Sequence, residues 1–183
     1  MRIILDAGHG PETAGKRTPD GKMKEFEFNS AVTRLVKKEL DNTGIVVIFS
    51  HSDDVDVPLR ERTSLANKLK VQAFISIHAN AYGSNWNEVN GIETYTYLKP
   101  SADSILLAKH IQESLCISVE RKNRGVKQKD LAVVRDTIMP AVLVECGFMT
   151  NKEEARLLQS EEYRLKCAQG IATGIKIWVK NKN

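Results

Sequence analysis

The sequence has few of the features that mark disulfide-rich, membrane-spanning or secreted chains. It contains only three cysteines, Cys116, Cys146 and Cys167, and no Cys-x-x-Cys pair. Neither a disulfide framework nor a zinc ribbon is therefore predicted, and we expect buried thiols. No apolar run approaches the roughly 18 residues that span a bilayer, so membrane insertion is not expected. The apolar run Ile3–Leu5 is also too short for a signal peptide.

Aromatic residues and excess charge are also scarce. Aromatic residues make up 6% of the chain, and the formal net charge is only +4. Nucleic-acid-binding surfaces usually combine a dense Arg/Lys stripe with aromatic residues, and the sequence contains no such stripe. Nucleic acid is therefore not an expected partner, although a mild positive charge suits an anionic polymer. The 183 residues, 42% of them hydrophobic, favour one domain with a substantial core.

Short apolar runs alternate with amphipathic stretches along the chain. Strands are predicted at Arg2–Asp6, Ile45–Ser50, Ala73–His78, Gly91–Leu98 and Ala141–Cys146, and helices at Phe28–Leu40, Leu59–Leu69, Ser101–Val119 and Glu161–Val179. This alternation, with largely continuous apolar strands, predicts an α/β fold whose sheet is mainly parallel and covered on both faces. We expect a single domain over residues 1–180, with 181–183 as a frayed end or the start of a linker.

Two histidines lie at the carboxyl ends of predicted strands. His9 comes directly after the first strand, between Gly8 and Gly10, and His78 ends the third strand. In open α/β sheets ligands bind beyond the carboxyl ends of strands, so the two imidazoles could share one site. Either histidine alone is more commonly a hydrogen-bonded structural residue. Their matching positions make them candidates as a pair.

A carboxylate near the first predicted helix could complete a metal site. Glu25 and Glu27 both lie in the segment MKEFEFN, just before the amphipathic stretch. Two histidines and one carboxylate, with a fourth position left for water, form a typical catalytic zinc set. Spacing alone does not choose between the two acids. A solvated acid favoured by the helix dipole is the alternative interpretation of Glu25.

Glu145 interrupts the otherwise apolar strand AVLVEC. An unpaired buried carboxylate costs several kcal/mol, so its presence calls for a partner or a chemical role. Beside a metal it could act as a general acid and base, and a salt bridge to a buried arginine is the structural alternative. Cys146 is adjacent on the same strand and points to the opposite face, which disfavours a cysteine-nucleophile hydrolase.

Six motifs occur in order along the chain: LDAGHG, the acid in KEFEFN, PLRERTSLAN, FISIHANA, the run RGVKQKDLAVVRDTIMPAVLVECGF, and FMTN after it. Together they resemble the zinc-dependent N-acetylmuramoyl-L-alanine amidases of the type-3 amidase family, found in bacterial autolysins and phage endolysins. The resemblance covers essentially the whole chain. It implies a single amidase catalytic domain with a twisted, six-stranded mixed sheet flanked by helices, like that of zinc exopeptidases.

The resemblance also implies roles for individual residues. His9, Glu25 and His78 become ligands of Zn²⁺, and Glu145 becomes the catalytic acid and base. The implied reaction is hydrolysis of the amide between the lactyl group of N-acetylmuramic acid and L-alanine of the stem peptide. Asn80, two residues after His78, is either a substrate-binding residue or a loop-capping amide, and both interpretations remain open.

The family pattern also distinguishes the two acids. Its glutamate precedes a helix and lies four positions before an asparagine, which matches Glu25 and Asn29 and disfavours Glu27. Arg62 and Asn67 fall in a family-like segment, but their helical positions suit structural hydrogen bonds at least as well.

The implied partner is bacterial peptidoglycan, and the implied place of action is the bacterial cell wall. Many secreted members carry a signal peptide and wall-binding repeats, which are absent from this sequence. We therefore expect a chain that stays in the cytoplasm until a holin or cell lysis releases it, or one that lacks a C-terminal wall-binding domain. The alternative functions are a related zinc peptidase that cuts within the stem peptide and a non-catalytic wall-binding module.

Overall fold

The computed structural model describes residues 1–182, and Asn183 lies outside the described residues. The strands are β1 (Arg2–Ala7), β2 (Val46–Phe49), β3 (Ala73–Asn80), β4 (Ile92–Thr96), β5 (Asn123–Gln128) and β6 (Ala141–Phe148). The helices are α1 (Glu25–Glu39), α2 (Leu59–Leu69), α3 (Ala102–Val119), α4 (Ala132–Arg135), α5 (Lys152–Gln159) and α6 (Glu161–Lys180). None of these helices is both long and apolar enough to span a membrane.

The six strands form one mixed sheet in the order β2-β1-β3-β6-β4-β5. Strands β2, β1, β3 and β6 run parallel, β4 is antiparallel to β6, and β5 is parallel to β4. The predicted α/β class and the mainly parallel, six-stranded sheet are confirmed. The four parallel strands bring their carboxyl ends to one edge, where the predicted histidines lie.

Both faces of the sheet are covered, as the apolar strands predicted. Alternate residues point to opposite faces, so Ile3 and Leu5 of β1 join the larger core with α1, α3 and α6. Ile4 lies between them on the other face, in a smaller core with Phe74 and with Ala66 of α2. The smaller core fills only part of its face, and polar side chains occupy the rest.

All predicted elements are present, and three others escaped prediction. Helix α1 begins at Glu25 rather than Phe28, and α6 extends to Lys180. The unpredicted strand β5, NRGVKQ, lies at the sheet edge and has no apolar alternation for a sequence pattern to reveal. Helix α4 is a single turn of four residues, and α5 is a short helix capped by the Asn151 side chain.

The predicted frayed end or linker start at 181–183 falls only partly within the described residues. Asn181 caps the C-terminus of α6, and its backbone N–H donates to the Ile177 carbonyl. The Lys182 ammonium lies 2.8 Å from Asp103 Oδ2 and 4.3 Å from the centre of the Trp178 ring. Asn183 lies outside the described part of the chain.

Candidate metal centre

Polar residues replace apolar ones toward the carboxyl ends of the central strands, on the face that carries the smaller core. In β1, Asp6 follows Ile4 on this face, and in β3 Ser76 and His78 follow Phe74. Asp6 is in register with Ser76, and His78 is in register with Glu145 of β6. The strand register therefore gathers these side chains at one place.

His9, Glu25 and His78 converge at this edge of the sheet. Each offers one donor atom, and the three atoms lie within 4.8 Å of one another. The Glu25 carboxylate bridges the imidazoles: Oε2 is 3.1 Å from His9 Nε2, and Oε1 is 2.9 Å from His78 Nδ1. Two imidazole nitrogens and a carboxylate form a donor set that can hold a metal ion.

The turn that carries His9 has an unusual backbone. His9 itself adopts a left-handed φ of 63°, which costs a non-glycine residue about 1–2 kcal/mol. Its neighbour Gly8 has another role, because a β-carbon there would lie 2.0 Å from His78 Cε1. Gly8 thus lets the backbone after β1 approach the His78 ring. Strain of this kind clusters at functional sites.

Glu25 is buried at the first turn of α1, whereas Glu27 is exposed and faces away. The Asn29 amide donates to Glu25 Oε1 at 3.2 Å and to the Gly8 carbonyl at 3.0 Å, which ties the helix to the histidine turn. Burial opposes ionisation of Glu25, but hydrogen bonds with His78 and His9 hold its pKa below the ordinary value. Glu25 is therefore a carboxylate in this cluster.

Glu145 lies next to this group and has no ion-pair partner among residues 1–182. Within residues 1–182, its Oε2 is buried and has no hydrogen-bond partner. Burial raises the pKa of Glu145 to about 8, and the carboxylates of Glu25 and Glu93 add to the rise. The salt bridge to a buried arginine that the sequence left open does not form among the described residues. A carboxyl group with a pKa near neutrality can both accept and donate a proton.

Glu93 is a buried acid of this site that the sequence analysis did not single out. Arg124 Nε and Lys127 Nζ lie 2.7 and 2.5 Å from its Oε2. Its Oε1 accepts hydrogen bonds from the Tyr95 hydroxyl at 2.6 Å and from the Asn80 amide at 2.7 Å. The sequence did contain an indication of this residue, namely an acid in the strand-like segment GIETYTYL. Residues two apart in a strand share a face, so Glu93 and Tyr95 lie on the same side of the sheet.

Asn80 therefore has protein partners at both ends of its amide. Its Nδ2 donates to Glu93, and its Oδ1 accepts from the Ala81 backbone N–H at 2.8 Å. Asn80 also lines a cavity of about 440 Å³ with the three clustered residues and Glu145. The amide thus caps its loop and also borders the cavity.

Two cavities meet at the histidine turn and differ in chemistry. The cavity beside Glu145 also presents the lysines Lys16 and Lys129. The second cavity, about 560 Å³, borders His9 and His78 and is lined largely by apolar side chains that include Val57, Leu59 and Val133. The candidate centre therefore lies in a cleft with one polar, basic end and one apolar end.

Cys146, which the sequence disfavoured as a nucleophile, and the histidines His51 and His110 lie outside the cluster. Cys146 is fully buried in the larger core, and burial raises the pKa of its thiol well above the ordinary value. His110 contacts the Asn181 amide at the end of α6. His51 has a supporting contact, since its Nδ1 accepts from the Ala7 backbone N–H at 3.1 Å.

Arg62 and Asn67 of α2 both make hydrogen bonds to the backbone. Asn67 donates to the Asp136 carbonyl and accepts from the Ile138 N–H. Arg62 is 2% exposed and pairs with Asp6, and it also donates to the carbonyls of Ala7 and His9. Asn67 thus anchors the chain after α4, and Arg62 contacts the histidine turn.

Comparison with known proteins gives one consistent result. A family model described as N-acetylmuramoyl-L-alanine amidase (Amidase_3) matches residues 3–177. The N-acetylmuramoyl-L-alanine amidase LytC of Bacillus subtilis strain 168 is 36% identical over 94% of this chain, which spans 34% of LytC. The catalytic domain of the amidase CwlV from Bacillus (Paenibacillus) polymyxa var. colistinus superposes with a TM-score of 0.90 at 34% identity, covering 98% of both chains. An amidase from Clostridium difficile 630 gives a TM-score of 0.93 at 31% identity, covering 100% of this chain and 98% of that one.

Proposed function

This chain belongs to the N-acetylmuramoyl-L-alanine amidase family of peptidoglycan hydrolases, and we propose that His9, Glu25 and His78 are its zinc ligands and Glu145 its catalytic acid and base. The proposed reaction is hydrolysis of the amide between N-acetylmuramic acid and L-alanine of the stem peptide. The observation that carries the proposal is the convergence of three donor atoms within 4.8 Å beside Glu145, whose buried Oε2 has no hydrogen-bond partner in the described part of the chain.

The donor set supports zinc over the hard cations. Zinc binds imidazole nitrogen and carboxylate oxygen, and a catalytic site keeps three protein ligands with one position open. Magnesium and calcium prefer sites built from oxygen ligands, which two imidazoles do not supply. A zinc ion held here would supply Lewis acidity, which polarises a carbonyl and makes water acidic enough to attack at neutral pH.

The protein side chains divide the remaining work. The Glu145 carboxylate would take a proton from the attacking water and pass it to the nitrogen of the departing alanine. Burial raises the pKa of Glu145 to about 8, and the positive charge of a nearby zinc ion would lower it toward neutrality, where a carboxyl group can both accept and donate a proton. Gly8 lets the turn that carries His9 approach the His78 ring, and Asn29 ties this turn to α1. The donor atoms are therefore already close together before substrate binds.

The cleft has groups that suit the proposed substrate. Stem peptides carry carboxylates, and Lys16 and Lys129 supply positive charge at the end of the cleft beside Glu145. Asn80 remains our candidate for a contact with the peptide, because it lines this end and is held in place by Glu93. The apolar end beside Val57 and Leu59 suits the less polar parts of the substrate.

Digestion of purified cell walls tests the reaction. Metal-loaded protein, chelator-stripped protein and stripped protein supplied with Zn²⁺ or Mg²⁺ would each be incubated with walls. New amino termini and new reducing sugars would be measured in parallel. We expect new L-alanine amino termini without reducing ends, loss of the reaction on stripping, and recovery with Zn²⁺ but not with Mg²⁺.

Other products would reject the proposal in specific ways. New amino termini of other residues would identify a peptidase that cuts within the stem. Wall binding without any product, on walls of several chemical types, would identify a non-catalytic wall-binding module. Activity that survives chelation but is lost on thiol alkylation would identify a cysteine hydrolase.

A further inference from the structure

A buried ion pair lies directly beneath the candidate metal centre. Asp6 is 1% exposed and Arg62 is 2% exposed, and Arg62 Nη1 is 2.9 Å from Asp6 Oδ1. The Ser50 hydroxyl also donates to Asp6 Oδ1 at 2.7 Å, and the Ser76 hydroxyl donates to Oδ2 at 2.6 Å. Burying two charges is costly, and replacing a buried ion pair with well-packed apolar residues often leaves a protein equally stable or more stable. The pair therefore invites a functional explanation.

The two ring nitrogens of His78 have different hydrogen-bond surroundings. Ser76 has one hydroxyl proton, and Asp6, a carboxylate beside Arg62, can only accept it. Ser76 Oγ also lies 3.0 Å from His78 Nε2, so in that contact Ser76 must accept and Nε2 must donate. The contact with Ser76 therefore holds a proton on Nε2 of His78. Nδ1 lies on the other side of the ring, 2.9 Å from the Glu25 carboxylate, and faces the centre of the cluster, so it is the nitrogen left for a metal ion.

Arg62 connects the same ion pair to the second histidine. Its guanidinium donates to the Ala7 carbonyl at 2.6 Å and to the His9 carbonyl, while Nε donates to the Val57 carbonyl at 2.8 Å. His9 has the left-handed φ of 63°, so this contact holds the residue whose backbone is strained. One ion pair thus reaches His78 through Ser76 and His9 through its backbone.

We infer that Asp6, Ser76 and Arg62 are positioning residues for metal binding, with Ser76 selecting Nδ1 as the nitrogen through which His78 binds the ion. The inference rests on the proposed zinc site. Partners that hydrogen-bond to the second nitrogen of a ligating histidine typically fix its tautomer, and their removal weakens metal binding about 10- to 100-fold. Here a serine carries that contact, and its own proton is committed to a buried carboxylate.

The chain offers a matched pair of serines for the test. Ser50 and Ser76 are both buried and both donate to Asp6, but of the two hydroxyls only that of Ser76 is also hydrogen-bonded to a histidine ring. Zinc affinity would be measured by chelator competition, without any turnover assay, on the wild type, Ser76→Ala and Ser50→Ala. We expect about 10- to 100-fold weaker zinc binding for Ser76→Ala and a change of less than about threefold for Ser50→Ala.

A spectroscopic measurement tests the tautomer in the unmodified chain. With ¹¹³Cd in place of zinc and ¹⁵N-labelled histidine, NMR should show metal coupling at Nδ1 of His78 and a proton on Nε2. Coupling through Nε2 would overturn the inference, as would equal zinc affinities for the two serine variants. Because this spectrum uses the wild-type protein, it identifies the His78 nitrogen that binds the metal even if Ser76→Ala fails to fold.

The design separates failure of the inference from failure of the proposed function. A wild-type chain that binds no zinc would remove the metal site, and this inference with it. A wild-type chain that binds one zinc ion while Ser76→Ala and Ser50→Ala behave alike would overturn the inference alone. The proposed amidase reaction would then stand on the wall digestion.

Discussion

Glu93 and Glu145 are paired across β4 and β6, yet their carboxyl groups have opposite electrostatic surroundings. Burial works against ionisation of Glu93, but hydrogen bonds from Lys127, Tyr95 and Arg124 lower its pKa to about 2. Burial raises the pKa of Glu145 to about 8. Two neighbouring acids with pKa values pushed apart in this way can divide the work: one stays ionised and structural, and the other exchanges protons.

Glu145→Gln should lower turnover about 10²- to 10⁴-fold while zinc stays bound, because an amide of the same shape cannot exchange the proton. Turnover on a soluble muramyl peptide and zinc content by elemental analysis would be measured on the same preparation. Near wild-type turnover would remove Glu145 from the proposed role. Loss of zinc would make it a ligand instead.

Glu25→Ala should lower zinc content and activity together, because it removes one of three proposed ligands. Glu27→Ala is the matched control, since Glu27 lies two positions further along α1 and is exposed. It should bind zinc as the wild type does. Equal zinc content in the two variants would refute the assignment of Glu25.

Gly8→Ala should displace His78, because the new β-carbon would lie 2.0 Å from the ring carbon Cε1. We expect zinc binding to weaken about 10- to 100-fold, as for other losses of support at a metal ligand. Gly21→Ala is the control: it meets no atom within 4 Å and carries only the cost of a left-handed backbone, about 1–2 kcal/mol. Zinc titration and circular dichroism would measure binding and folding. Undiminished zinc affinity in Gly8→Ala would contradict the close approach.

Glu93→Gln should destabilise the fold at neutral pH, and the effect should shrink in acid. The pKa of Glu93 is about 2 in the folded chain, below its ordinary value of 4.5. Its stabilisation is therefore fully present above about pH 4.5 and is lost as the pH falls toward 2. Urea unfolding of wild type and Glu93→Gln at several pH values would measure the difference.

Glu113→Gln, an exposed change on α3, controls for loss of charge as such and should show little pH-dependent difference from wild type. A Glu93→Gln effect that stays constant from pH 7 to pH 3 would contradict the assigned ion pairs.

The sequence by itself determined the fold class and the set of candidate residues. Continuous apolar strands alternating with amphipathic helices are sufficient for a covered, mainly parallel sheet. The rule that ligands bind beyond strand carboxyl ends selected His9 and His78, and a lone acid in an apolar strand selected Glu145. These are local signals, carried by residue type and by neighbours in the chain. Edge strand β5 left no such signal, because its residues are largely polar.

Only the tertiary structure decided which of these residues meet and what holds them there. Strand register placed Asp6 beside Ser76 and His78 beside Glu145, although 70 and 67 positions respectively separate each pair in the sequence. The residues themselves did not distinguish Glu25 from Glu27 as the acid of the cluster. The structure does, because α1 directs Glu25 into the cluster and Glu27 toward solvent. The role of Gly8 required the distance to a ring on another strand. Such contacts depend on packing between distant segments, which no local pattern encodes.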